Sequence, residues 1–107
     1  MSASAVIAFF GLRYEITLDE FEDPADSRTQ AALRVGLKYY SSNFGGLDER
    51  YLLFIGARLA ILGLENESER CLSIEELKSV IELTSTKLRD AGFVERPKLY
   101  LQWEQDV

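Results

Sequence analysis

Hydrophobic residues follow a strand pattern in two long segments, residues 5–17 and 51–62. Both segments are rich in Ile, Leu, Phe and Tyr, and their side chains divide into two alternating sets. Much of each segment is apolar in both sets, which is typical of strands at the centre of a sheet. A helix is the alternative for residues 51–62, because an apolar run is ambiguous by periodicity alone; Gly56 and Gly63 favour the strand.

Two shorter segments predict strands at the sheet edges. Residues 98–104 place Leu99, Leu101 and Trp103 on one side and more polar side chains on the other. Residues 37–44 are the weaker strand prediction, and an extension of the preceding helix is the alternative for them. Both segments are shorter and more polar than the two apolar ones, as strands at an edge should be.

Residues 74–91 carry a complete helix pattern. Ser73 and Glu76 form a capping box, in which each side chain accepts a hydrogen bond from the other residue's backbone amide, and Gly92 marks the end. The stripe of residues expected to face the core is Ile74, Leu77, Ile81, Thr84, Leu88 and Ala91.

A second helix is predicted between the first two strands. Asp23 as N-cap and Pro24 in the first turn predict a helix that runs to Val35. Thr17 and Glu20 fit a capping box further upstream, so residues 18–22 are interpreted as a short helical turn before the main helix. The residues expected to face the core are Ala25, Thr29, Ala32 and Val35.

The resulting element order is β-α-β-β-α-β over one domain, residues 1–107. This order predicts an α+β two-layer sandwich of the ferredoxin-like kind: an antiparallel sheet in the order 4-1-3-2 with two helices on one face. The most apolar segments are the first and third strands, which this topology places at the centre. Many unrelated activities share the fold, so it predicts no function by itself.

Composition narrows the chemistry. The chain has no histidine, one cysteine (Cys71) and a net charge of −6, and it carries no hydrolase elbow or phosphate-binding loop. We therefore predict no catalytic residue, no cofactor and no metal site, although acid–base chemistry by carboxylates stays open. The acidic balance argues against binding to nucleic acid or to a membrane surface. A lone cysteine, without a signal peptide or membrane span, predicts a cytoplasmic protein.

The side of the sheet that faces away from the helices is the main functional candidate. In a two-layer domain this side is normally wetted and polar, but here it is predicted to have an apolar centre and a rim that includes two arginines. Leu52 and Ala60 are assigned to the same side. The candidate interaction residues are Ile7, Phe9, Arg13, Phe54, Arg58 and Tyr100.

Two functions are consistent with this face. The first is a small acidic interaction module that uses the face to dimerise or to dock another protein; the alternative cover is the chain's own first helix, acidic turn or terminus. The second is a dimeric domain that binds or transforms a small molecule, with Arg13 or Arg58 holding an acidic ligand and Tyr14, Tyr100 or Trp103 lining a pocket between sheet and helices. Cross-strand pairing of the arginines with Glu15 or Glu104 is the competing explanation.

Overall fold

The structure is a computed structural model that describes residues 4–105. It contains four strands, three helices and one 3-10 turn. The strands are β1 (Ala5–Ile16), β2 (Lys38–Asn43), β3 (Tyr51–Gly63) and β4 (Lys98–Glu104). The helices are α1 (Leu18–Glu22), α2 (Ser27–Arg34) and α3 (Ile74–Asp90), and the 3-10 turn is Gly46–Asp48.

The strands form one antiparallel sheet in the order β2-β3-β1-β4. Read from the other edge, this is the predicted order 4-1-3-2, so the α+β class and the strand order are confirmed. The two long apolar strands lie at the centre and pair along their whole length, from Ala5 opposite Gly63 to Ile16 opposite Tyr51. A helix was the alternative for residues 51–62 and a helix extension for residues 37–44. Both segments are strands in the structure, as β3 and β2.

The predicted ends of α3 are confirmed. Ser73 and Glu76 form the capping box, and Gly92 follows the last turn with a φ of +95°. Phe93 donates its amide hydrogen to the carbonyl of Leu88 at 3.0 Å. Phe93 also packs against the core beside Leu88, which closes the end of the helix as a Schellman motif.

The prediction of one helix from Asp23 to Val35 is wrong in its first turn. Thr17 caps α1, and the N-cap of α2 is Asp26, whose carboxylate accepts hydrogen bonds from the amides of Arg28 and Thr29. Asp23 and Asp26 can both cap a helix. The helix begins at Asp26, and Thr29 and Ala32 are then buried in the core. The capping box of Thr17 and Glu20 is confirmed, because residues 18–22 form the short helix α1 before the main helix.

Helices α2 and α3 cover the same side of the sheet, which we call the helix side. The core on this side is formed by Leu12, Leu37, Leu53 and Ile55 together with Ala32 of α2 and Leu88 of α3. Tyr14 packs beside this core and donates a 2.8 Å hydrogen bond from its hydroxyl to Glu95, in the loop before β4. Burial and this bond raise the pKa of Tyr14.

Only the second half of α3 is packed in this way. Within the predicted stripe, Thr84 and Leu88 are buried, whereas Ile74 and Ile81 are exposed. The expectation that the whole stripe faces the core is therefore wrong.

Candidate interaction surfaces

The far side of the sheet, away from the helices, has an apolar centre as predicted. Ile7, Phe9, Leu52, Phe54 and Phe44 form one buried cluster, and Tyr40, Ile61 and Tyr100 pack against it. Ring centroids lie 5.5 Å apart for Phe9 and Phe54 and 5.8 Å apart for Phe54 and Tyr100. Four of the six candidate residues, Ile7, Phe9, Phe54 and Tyr100, pack in this cluster. Arg13 lies over the ring of Tyr100 at the edge of the cluster, and Arg58 pairs with Phe9 on the same side of the sheet.

The centre of this cluster is already enclosed within the chain. Ile7, Phe9 and Phe54 each have 0% of their surface exposed, although only one chain is present. Among residues 4–105, the hydrophobic side chains packed in this cluster belong to the sheet and to the loop after β2. Phe44, in the loop after β2, meets Phe54 edge-on at 5.6 Å, and Tyr40 of β2 meets Phe44.

A bond across the far side joins the two edge strands. Glu104, at the end of β4, accepts hydrogen bonds from the hydroxyls of Tyr40 and Ser42 on β2, at 2.7 and 2.5 Å. Burial and the bond to Glu104 raise the pKa of Tyr40 to about 12. Since β2 and β4 are opposite edges of the sheet, this contact requires the sheet to bend so that two diagonal corners meet over the far side.

A β-bulge alters one predicted position on this side. The pairing of β1 with β3 shifts between Ala8 and Phe9, so that Leu59 is an extra residue in β3. Ala60 consequently pairs with Ala8 on the helix side, and Ile61 replaces it beside Ile7. The assignment of Ala60 to the far side was therefore wrong.

The two arginines do not form one site. The guanidinium of Arg13 lies 4.8 Å from the ring centre of Tyr100 and donates a 2.7 Å hydrogen bond to Gln102. Neither predicted cross-strand partner binds it, because Glu15 instead pairs with Arg50 at 3.0 Å and Glu104 is bound to β2. Arg13 and Tyr100 also lie on the opposite side of the sheet from the helices, so they cannot line a pocket between the two layers.

Arg58 lines an open groove along the part of β3 that extends beyond β2. Pairing with β2 ends at Gly56, and the groove next to the following residues has a volume of about 600 Å³. Arg70 lies in the same groove but is paired with Glu67. Among the described residues, Arg58 makes no hydrogen bond or ion pair.

Several large hydrophobic side chains of β4 and α3 are exposed on the helix side of the sheet. Leu99, Leu101 and Trp103 of β4 are 52%, 71% and 56% exposed, and Ile74 and Ile81 of α3 are 65% and 37% exposed. The register places the three β4 residues beside Phe10, Ala8 and Val6, on the side that carries the helices. We call these five residues the open helix-side surface.

The sequence contained a signal for this surface that was interpreted as core. The alternation in β4 and the stripe of α3 are both visible in the sequence, and the stripe was expected to face the core. Burial depends on how closely the two layers approach, and periodicity along one element carries no information about that distance.

The acidic residues and the cysteine add no site. Within residues 4–105, no three Asp, Glu, Cys or His residues are close enough to hold a metal ion. Asp26 and Glu20 instead bind the guanidinium of Arg28, at 3.0 and 2.9 Å, and the bond from Arg28 holds the pKa of Asp26 below its usual range. Cys71 is a free, exposed thiol.

The function of this chain has to be inferred from the geometry of its surfaces. No helix in the described part of the chain is long and apolar enough to cross a membrane. No protein family, no curated protein and no solved structure matches this chain.

Proposed function

We propose that this chain is a small protein–protein interaction module that dimerises or docks a partner through the open helix-side surface. The observation that carries the proposal is the exposure of Leu99, Leu101 and Trp103 on one side of a strand at the sheet edge. Ile74 and Ile81 of α3 are also exposed on the helix side. Large apolar side chains that are left in water together often mark a binding site.

This docking surface lies on the helix side of the sheet, whereas the sequence predicted one on the far side. The far-side centre formed by Ile7, Phe9 and Phe54 has no surface left to offer a partner. The driving force for association is the same on either side, because the removal of large apolar side chains from water is favourable.

The architecture and setting are consistent with such a module. We propose that the fold is of the ferredoxin-like kind, with α1 as an addition to the β-α-β-β-α-β order; the strand order and the placement of α2 and α3 on one side support this. We also propose a reducing compartment such as the cytoplasm, since Cys71 is a free thiol.

The proposal is tested by a charged substitution in the surface. Leu101→Glu should abolish a dimer that the wild-type chain forms at high micromolar concentration, as measured by sedimentation velocity. Leu64→Glu is the matched control, because Leu64 is 94% exposed and lies outside the surface, and this variant should remain dimeric. A wild-type chain that is monomeric at these concentrations, or a Leu101→Glu variant that still dimerises, would contradict self-association through this surface.

The groove beside β3 supports a second candidate, the binding of a small anionic ligand. Arg58 lines the groove and has no hydrogen-bonding partner among the described residues, so its guanidinium is available for a carboxylate or phosphate. Thermal unfolding with and without citrate or inorganic phosphate tests this candidate. A rise in Tm that is lost in Arg58→Ala and kept in Arg34→Ala would support it, and equal behaviour of both variants would refute it.

A further inference from the structure

We propose that two copies of this chain pair through their β4 strands, antiparallel and centred on Leu101, to form one continuous eight-stranded sheet. This inference rests on the proposed function and specifies the partner and the geometry of contact.

The two edges of the sheet differ in a way that selects β4. Strand β2 presents Lys38, two tyrosines, two serines and Asn43, whereas β4 presents three large hydrophobic side chains on its helix side. Edge strands of monomeric proteins are usually protected by charges, proline or bulges, because their unpaired backbone groups can bind another strand. Within β4 the only charged residues are Lys98 and Glu104, one at each end.

Two-fold symmetry restricts the pairing. Two copies of one strand related by a two-fold axis perpendicular to the sheet run antiparallel, and the assembly closes as a dimer. Directly opposed residues share a side of the sheet, so the helix-side residues of one copy must lie opposite helix-side residues of the other. The register can therefore shift only by two residues at a time, so that Leu99, Leu101 and Trp103 of one copy always lie opposite helix-side residues of the other.

One of these registers is complementary along the whole strand. With Leu101 opposite Leu101 of the second copy, Leu99 lies opposite Trp103, and all seven residues of β4 are paired. Lys98 then lies opposite Glu104 at both ends, a favourable cross-strand pair. A slip of the pairing by two residues shortens the ladder and separates Lys98 from Glu104.

Glu104 can take part while it holds β2. Its carboxylate accepts one hydrogen bond on each oxygen, from Tyr40 and Ser42. A carboxylate offers about four acceptor positions, so the ammonium of Lys98 from the second copy can be added. Both residues belong to the far-side set of β4, since Lys98 pairs with Gly11 and Glu104 with Ala5.

Cysteine cross-linking in a Cys71→Ser background tests the register. Opposed residues in an antiparallel pair have Cα atoms about 4.5–5.5 Å apart, within disulfide range, whereas residues offset by two positions are about 7–8 Å apart. An equimolar mixture of Leu99→Cys and Trp103→Cys chains should form the mixed disulfide on mild oxidation. Mixtures of Leu99→Cys with Leu101→Cys, and of Leu101→Cys with Trp103→Cys, should form it at least about tenfold more slowly.

A charge variant provides an independent measurement. Lys98→Glu places two carboxylates opposite each other at both ends and should raise the dimer Kd about tenfold, the scale expected of two reversed cross-strand pairs. Lys38→Glu makes the same change of charge on the other edge strand and should leave the Kd unchanged.

The outcomes separate this inference from the proposed function. If Leu101→Glu abolishes the dimer while the three mixtures cross-link at equal rates, or while Lys98→Glu and Lys38→Glu behave alike, the strand pairing is overturned and the interaction surface stands. If the wild-type chain is monomeric, self-association through the surface fails as well.

Discussion

The pair of glycines at the centre of the sheet supports a quantitative prediction. Gly11 of β1 lies opposite Gly56 of β3, with φ values of +154° and +146° that L side chains rarely adopt. A Cβ added at Gly56 would lie 2.2 Å from the carbonyl oxygen of Phe10, and one added at Gly11 would lie 2.0 Å from that of Ile55. The two central strands are therefore too close at this point to accept any side chain.

The cost of Gly56→Ala follows from these two effects. The unfavourable backbone conformation costs about 1–3 kcal/mol, and relief of the overlap requires backbone movement that costs a further 1–3 kcal/mol or so. A sum of roughly 4 kcal/mol is a large part of the 5–15 kcal/mol that typically separates folded from unfolded states. For a domain of this size it corresponds to a fall in Tm of about 15–30 °C.

Urea unfolding followed by far-ultraviolet circular dichroism measures this cost, with Gly92→Ala as the control. Gly92 also has a positive φ, +95°, but no atom lies within 4 Å of the added Cβ. The control should therefore lose only the roughly 1–2 kcal/mol of a left-handed residue. If Gly56→Ala is no less stable than Gly92→Ala, the close approach of β1 and β3 does not limit this position and the reasoning is refuted.

Three further substitutions probe other parts of the structure. The pKa of Tyr40 is raised to about 12, so its neutral form stabilises the fold below about pH 10, and this stability is lost as the pH rises from about 10 to 12. In urea titrations, Tyr40→Phe should therefore show a smaller loss of stability over this alkaline range. Because Arg28 lowers the pKa of Asp26, Asp26→Asn should cost at most about 1 kcal/mol at pH 7, a difference that disappears in acid unfolding as the pH falls through the lowered pKa. Phe54→Ala should cost about 3–5 kcal/mol in the same assay, since Phe54 is fully buried; a loss below 1 kcal/mol would contradict the far-side core.

The elements of this fold were predictable because their signals are local. The limits of β4 are the predicted ones, and the capping box of Ser73 and Glu76 begins α3 where the sequence places it. The central position of β1 and β3 was also predictable, because apolar residues on both sides of a strand imply that both sides are covered.

The closing of the far side was not predictable, because it depends on the curvature of the sheet. Glu104 and Tyr40 are 64 residues apart, and nothing in either segment alone indicates that they meet. The bulge at Leu59 is similar: it moves Ala60 to the other side of the sheet, and alternation read along β3 cannot reveal it. The six candidate residues lie on the far side as predicted, but Ala60 does not, and Ile7, Phe9 and Phe54 are enclosed within the chain.

Strand β4 contributes both to the closed far side and to the open helix-side surface. The end of β4 bends toward β2 on the far side, where Glu104 binds Tyr40 and Ser42. On the other side of the same strand, Leu99, Leu101 and Trp103 are 52%, 71% and 56% exposed. The free energy gained by enclosing Phe9 and Phe54 is partly offset by the exposure of β4. Pairing with a second β4 would bring the exposed side chains of β4 into cross-strand contact while Glu104 keeps its bonds to β2. Breaking the bond with Tyr40→Phe and Ser42→Ala together should therefore weaken the dimer as well as the fold.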